Sequence, residues 1–238
     1  MGSKKLIAVL IFFVFATVSY AAEIPRHLQK ENAFTFKIGS HYYKNNDDAL
    51  DFWEVDEDDL NTIVFEFAYE KKVKQIIGLE FALGRFDSNQ TYNNVFFVGD
   101  SSKIDIENIY FSPSAKLNLP LNDTFIFYFG GGPDIYWTQT DYKYEESGFT
   151  YSVDDNFISF GLHGVVGIEM FIMKNPTAYD FYDVPLSLVF EYKYSWVEVQ
   201  DADEKIINDV NDALSSSFSK HDLDVGGHKF FVGLRWHF

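Results

Sequence analysis

The chain has 238 residues, no Cys, a net charge of −17 and an aromatic share of 19%, with 26 Phe and 15 Tyr. The acidic balance excludes nucleic acid as a partner, because like charges repel. Without Cys there is no disulfide frame, no thiolate chemistry and no Cys-ligated metal site. The length suits one large β domain, and no Pro- or Ser-rich linker divides it.

The first residues read as a secretory signal peptide over residues 1–21. Lys4 and Lys5 supply the positive end, Leu6 to Val18 is apolar, and Ser19 and Ala21 are the small residues before a cut after Ala21. The apolar run is shorter than the roughly 20 residues a spanning helix needs. Residues 22–238 are then the mature domain, and it must meet a membrane with strands.

Period-two alternation recurs along that domain. The expected strands are Ala33–Lys44, Asn61–Glu70, Ile76–Phe86, Glu107–Leu119, Thr124–Trp137, Phe157–Ile172, Val184–Val197 and Asp222–Phe238. Each has one large apolar face, such as Ile63, Phe65, Phe67 and Tyr69. The other face carries small residues and isolated charges, such as Val64, Glu66, Ala68 and Glu70. Each comes near or above the roughly 9–11 residues that cross a bilayer when tilted.

The connections alternate in length. Lys71–Gln75, Pro120–Asp123 and Lys174–Asp183 are short or moderate, while Lys44–Leu60, Asp87–Asp105, Thr138–Asn156 and Glu198–His221 are long and polar. Short turns at one end, long loops at the other and an even strand count predict an all-β, eight-stranded, antiparallel, up-and-down transmembrane β-barrel, with both termini at the turn end. Volume decides which face is outside. An eight-stranded barrel has room inside only for side chains, and the many Phe, Leu, Ile, Tyr and Trp of the apolar faces would not fit there. They face lipid, and Tyr42, Tyr69, Trp137, Tyr194, Trp196 and Trp236 lie toward strand ends, where an aromatic girdle sits.

The runs GLHGVVGIE (Gly161–Glu169), FYFGGGPDIYW (Phe127–Trp137) and LVFEYKYSW (Leu188–Trp196), with the ending GGHKFFVGLRWHF, resemble the small bacterial outer-membrane β-barrel proteins of the OmpW, OmpX and opacity-protein kind. The resemblance implies a bacterial outer-membrane location, outer-membrane lipid and lipopolysaccharide as surroundings, and the barrel-assembly machinery as a partner. It also implies that the terminal aromatic is part of the assembly signal. Here that role falls on Phe238, with Trp236, Leu234 and Val232 in the alternating positions before it.

Three groups of residues could carry chemistry. The first is the inward set Lys37, Glu66, Glu80, Lys116, His163, Glu169, Glu191, Lys193, Lys229 and Arg235, with His41 among them. It reads as a paired plug rather than a proton or solute path, because buried charges must be paired. Lys229 and Arg235 are expected to partner the inward glutamates. The second is His228, on the outward phase of the last strand; a lipid-modifying enzyme would use Ser and His at the outer leaflet, but no His-x-Ser-Asn-like stretch is present. The third is acidic: Asp47, Asp48, Asp51, Glu54 and Asp56–Asp59 in the first long loop, Asp201, Asp203 and Glu204 in the fourth. Hard cations take oxygen ligands, which makes divalent ions candidate partners; a solvated anionic surface is the favoured reading. Residues Ala202–Leu214 have helical spacing, with Ile206, Ile207, Val210 and Leu214 on one stripe that could cap the barrel mouth. Arg85, outward at the loop end of its strand, could meet lipopolysaccharide phosphates or extend to water.

The expectation is a monomeric, non-enzymatic barrel without cofactor or metal, serving surface interaction or envelope integrity. The alternatives are a narrow channel for small or hydrophobic solutes and a lipid-modifying enzyme. Deleting Phe238 is expected to lower outer-membrane levels in cell fractionation more than it alters the folded barrel; normal levels of the shortened chain would count against an assembly role.

Overall fold

The computed structural model describes residues 26–43, 60–93, 101–146, 149–174, 184–205, 207–208 and 220–238. The expected signal peptide and most of the acidic first loop lie outside the described residues. A short 3-10 helix, Arg26–Gln29, precedes β1 (Asn32–Tyr42), β2 (Thr62–Lys74), β3 (Ile77–Asn93), β4 (Ser101–Pro120), β5 (Phe125–Glu146), β6 (Phe149–Met173), β7 (Leu186–Val199), the two-residue β8 (Leu223–Asp224) and β9 (Gly227–His237). Each long strand pairs antiparallel with the next, β7 pairs with β9, and β9 returns to β1 from Ala33↔His237 to Tyr42↔His228. Eight long strands therefore form a closed ring with no free edge through the apolar band, as a backbone in hydrocarbon requires.

The faces alternate as the volume argument predicts. Phe34, Ile38, Phe65, Phe67, Phe81 and Leu83 are exposed on the outside, whereas Lys37, Glu66, Glu80, Lys116, Tyr110 and Tyr128 are buried inside. Aromatic belts mark the two ends. At the turn end, Phe34 packs against Tyr69 at 5.3 Å and against Phe238 at 5.5 Å between ring centroids. At the loop end, Tyr194 meets Trp196 at 4.6 Å and Tyr192 meets Phe230 at 5.0 Å. Both termini of the described barrel lie together, with Asn32 N donating to Phe238 O at 3.1 Å.

Two expected loops are strand instead. β3 and β4 continue through most of Asp87–Asp105, and β5 and β6 through most of Thr138–Asn156, so that β6 reaches 25 residues. Its outer face changes character row by row. Arg85, Ile109, Trp137 and Ile158 are directly opposite one another; two residues further out the row is Asp87, Glu107, Gln139 and Asn156; the next is Asn89, Asp105, Asp141 and Asp154. Apolar alternation fades there because the outside meets water rather than lipid, while inward Phe86, Ile104 and Ile106 remain buried. Polar residues on the outside erase the period-two hydrophobic pattern along these extensions. The last expected strand is also divided: Gly227 has φ +92°, which bends the chain between β8 and β9.

Interior tyrosines lie across glycines on facing strands. A Cβ at Gly84 would come within 2.2 Å of the Tyr110 ring, and one at Gly167 within 2.4 Å of the Tyr128 ring. Both tyrosines are fully buried, so neither ring has free space to retreat into. Gly84→Val is expected to cost about 1–3 kcal/mol or more through overpacking, read as a lower urea midpoint for refolding in detergent, with Leu83→Val on the lipid side as the mild control.

Candidate functional site: the barrel interior

The lumen is filled in layers. At the turn end, Leu28 from the 3-10 helix packs with Ile126 and Phe171, and Lys72 Nζ donates to Leu28 O at 3.1 Å. Above this seal, Arg235 on β9 spans the lumen. Its guanidinium pairs with Glu70, with Glu169 at 3.1 Å and with Glu80 at 3.4 Å. Glu169 also accepts from Ser187 Oγ at 2.8 Å and lies 2.6 Å from His237 Nε2, while Glu70 accepts from Asn118 Nδ2 at 2.7 Å.

The middle layer joins six strands. Lys37 on β1 lies 2.7 Å from Glu66 on β2, 2.7 Å from Glu191 on β7 and 3.4 Å from Glu80 on β3. Lys116 on β4 lies 2.6 Å from Glu80 and 3.1 Å from Glu191. Lys193 lies 3.1 Å from Glu66. Tyr110 and Tyr128 donate to Glu66 and Glu191, each at 2.8 Å. Oxygens of Glu66, Glu80 and Glu191 fall within 4.8 Å of one another, the spacing a metal ion would accept. All three carboxylates converge on the Lys37 ammonium, which supplies the positive charge at that position.

A second chain of contacts crosses β4, β5 and β6. Ser114 Oγ is 2.7 Å from His163 Nε2, His163 Nδ1 is 2.8 Å from Asp134 Oδ1, and Ser112 Oγ bonds the same Asp134 oxygen. The residue types and order match a hydroxyl–imidazole–carboxylate relay. A relay becomes a catalyst only where substrate can reach the hydroxyl, and these groups are buried between the ionic and aromatic layers. The arrangement instead gives the inward Asp134 and His163 each a serine hydroxyl partner and sets them side by side at ion-pair distance.

Toward the loop end the lining becomes aromatic and then apolar. Tyr110 stacks on Tyr136 at 5.2 Å, with Phe86 about equally close to both at 6.2 and 6.3 Å. Above them Ile104, Ile106, Val197 and Val199 meet Ala202 and Ile207 of the fourth loop and Leu223 and Val225, which follow it. That loop segment is helical at Glu204–Lys205 and Ile207–Asn208; Ile206, Val210 and Leu214 of the expected stripe lie outside the described residues. It is fastened by charge: His221 holds the buried Asp203 carboxylate through its backbone N at 2.7 Å and Nδ1 at 2.6 Å. Lys220 pairs with Glu204, a hydrogen bond that holds its ammonium above the usual lysine range. Lys205 bonds Asp154 O at 2.6 Å and Asp155 at 3.1 Å.

The expected inward residues thus lie inside together, with one correction. Lys229 meets no carboxylate within ion-pair distance among the described residues. It donates to Tyr136 Oη at 2.8 Å and to Ser195 Oγ at 3.5 Å, with the Phe86, Tyr110 and Tyr136 rings each 5.4 Å away. Its height places it in the aromatic layer, above the glutamates. Glu70, Asp134 and His237 are network members that the sequence reading left out of the charge set, although all three fall on the inward phase; which side chains reach across a lumen is not readable from one strand.

Outside, His228 Nδ1 lies 2.7 Å from Tyr192 Oη within the aromatic belt. Arg85 pairs with Asp87 at 3.1 Å and Glu107 at 3.2 Å. Val232, Leu234, Trp236 and Phe238 all face outward from β9. In the fourth loop the acidic residues are not an open cation site: Asp203 is enclosed by His221, and Asp201 and Glu204 face Lys220.

Among solved structures the chain is similar to the attachment invasion locus protein Ail of Yersinia pestis, at 12% identity and TM-score 0.43 over 88% of this chain and 99% of that one. It is similar to the outer membrane protein OprG of Pseudomonas aeruginosa, at 12% identity and TM-score 0.47 over 88% and 97%. It is also similar to Neisserial surface protein A, at 10% identity and TM-score 0.43 over 87% and 96%. No curated protein matches the sequence. The outer membrane protein beta-barrel domain family matches residues 7–238, the whole of the closed ring and its filled interior, and the chain belongs to that family, an eight-stranded barrel of the outer membrane.

Proposed function

We propose that this barrel is closed and non-enzymatic, and that it acts through the acidic strand extension and loops at its loop end, in surface contacts or envelope integrity. The observation that carries this reading is the continuity of the filling. A seal at Leu28, the Arg235 layer, the Lys37–Lys116 layer, the tyrosine layer and the fourth-loop roof follow one another, and their side chains are buried. An eight-stranded barrel has little cross-section to spare, and removing one partner of an ion pair buried across it costs about 3–5 kcal/mol by leaving an uncompensated buried charge. What supports action at the loop end is the water-facing carboxylate rows on β3–β6, beyond the apolar band.

Catalysis finds no support in the geometry: the Ser114–His163–Asp134 chain has no path to substrate, and His228 faces a tyrosine rather than a serine. Outer-membrane lipid is the immediate partner of the apolar band; lipopolysaccharide, the assembly machinery and the monomeric state belong to the same proposal.

Planar-bilayer recording of the refolded chain is expected to give no discrete openings. Steady unitary conductance, altered by Glu80→Gln or Lys116→Met, would replace this reading with a narrow channel. Lys37→Met leaves Glu66 and Glu191 each short of a partner and is expected to lower stability by about 3–5 kcal/mol in urea-dependent refolding. A loss below about 1 kcal/mol, the worth of an exposed pair, would indicate a hydrated interior. Lipid A mass spectra are expected to be the same with and without the gene; an acylation change abolished by His228→Ala would overturn the non-enzymatic assignment.

A further inference from the structure

Above the ionic plug, three basic side chains occupy successive positions on one row of the wall. His41 on β1 is opposite Lys229 on β9, and Lys229 is opposite Lys193 on β7. Like charges on directly opposite positions repel. Lys193 is relieved by Glu66. Lys229 is fully buried and among the described residues bonds only hydroxyls, with Glu66, Asp134 and Asp224 acting on it through space. His41 is also fully buried, and among the described residues neither ring nitrogen has a hydrogen-bond partner. Its ring lies against Phe86 at 4.1 Å and Tyr43 at 4.6 Å, so packing holds it while its polar edge goes unused.

An imidazole carries at least one N–H in either tautomer, and a buried donor without a partner is destabilising. The row therefore presents an ammonium and an imidazole N–H with no acceptor of opposite charge in contact among the described residues. We propose that the His41–Lys229 row binds a small inorganic anion of halide size at the base of the aromatic layer. Size follows from the walls: Tyr110 and Tyr136 stack closely, Phe86 closes the third side, and the apolar fourth-loop roof lies above. Lys229 already engages the Tyr136 and Ser195 hydroxyls, and the ring faces and aliphatic side chains of these walls offer little to the outer oxygens of a sulfate or phosphate. An anion there would tie β1, β9 and, through Tyr136, β5 together just below the mouth.

Thermal unfolding of the full chain refolded in detergent tests this at matched ionic strength in sodium chloride, bromide, sulfate and gluconate. Chloride and bromide are expected to raise the midpoint by a few degrees over gluconate, because a ligand that binds only the folded state stabilises it, while sulfate is not. Lys229→Met is expected to abolish the difference. Equal midpoints in chloride and gluconate, an equal rise in sulfate, or a chloride effect that survives in Lys229→Met would each overturn the site. Anomalous diffraction from bromide-soaked wild-type crystals reads the same question without a variant. A peak within hydrogen-bond reach of Lys229 Nζ and His41 supports the site, and its absence there rejects it.

Discussion

Backbone hydrogen bonding in hydrocarbon is the constraint from which the rest of this protein follows. A peptide group facing lipid has no water to complete it, so the pairing of β9 with β1 is a condition for the strands to exist in the membrane at all. Closure also sets the diameter, and with eight strands the diameter sets what the interior can hold. The large apolar side chains are thereby forced outward. Inside, Gly84 and Gly167 leave room for the Tyr110 and Tyr128 rings from the facing strands.

That narrow lumen explains why its charges lie as they do. An isolated charge in such a space would be expensive, so each carboxylate collects several donors. Glu191 takes Lys37, Lys116 and Tyr128; Glu169 takes Arg235, His237 and Ser187. Each cation in turn bridges strands far apart in sequence. The network acts as a set of cross-braces inside a closed wall. Lys229 departs from that rule: it sits among aromatic rings, where the interior changes from ionic to apolar.

The eight-stranded ring, its inside and outside, and the phase of the inward residues within the expected strands were legible in the chain. Where the reading stopped short, the cause is local. Lipid contact makes a strand's outer face oily, and beyond the lipid Asp105, Asp141 and Gln139 serve as well as Phe does within it. The extensions of β3–β6 therefore passed for loops. The glutamates and lysines were visible as inward residues, but their partners were not. Arg235 meets Glu70 across 165 positions of sequence, at a distance set by side-chain length and barrel diameter.

By itself the sequence determined the pleat, its hydrophobic side and the membrane as the surrounding solvent, because each depends on neighbours two residues apart along one strand. Only the tertiary structure decided that the inward charges, the tyrosines and the apolar residues around Ala202 and Ile207 follow one another in layers, and that Lys229 and His41 have no acid in contact among the described residues. Those are matters of which side chains meet across a closed ring, and strand register and barrel diameter, which arise only on closure, control that meeting.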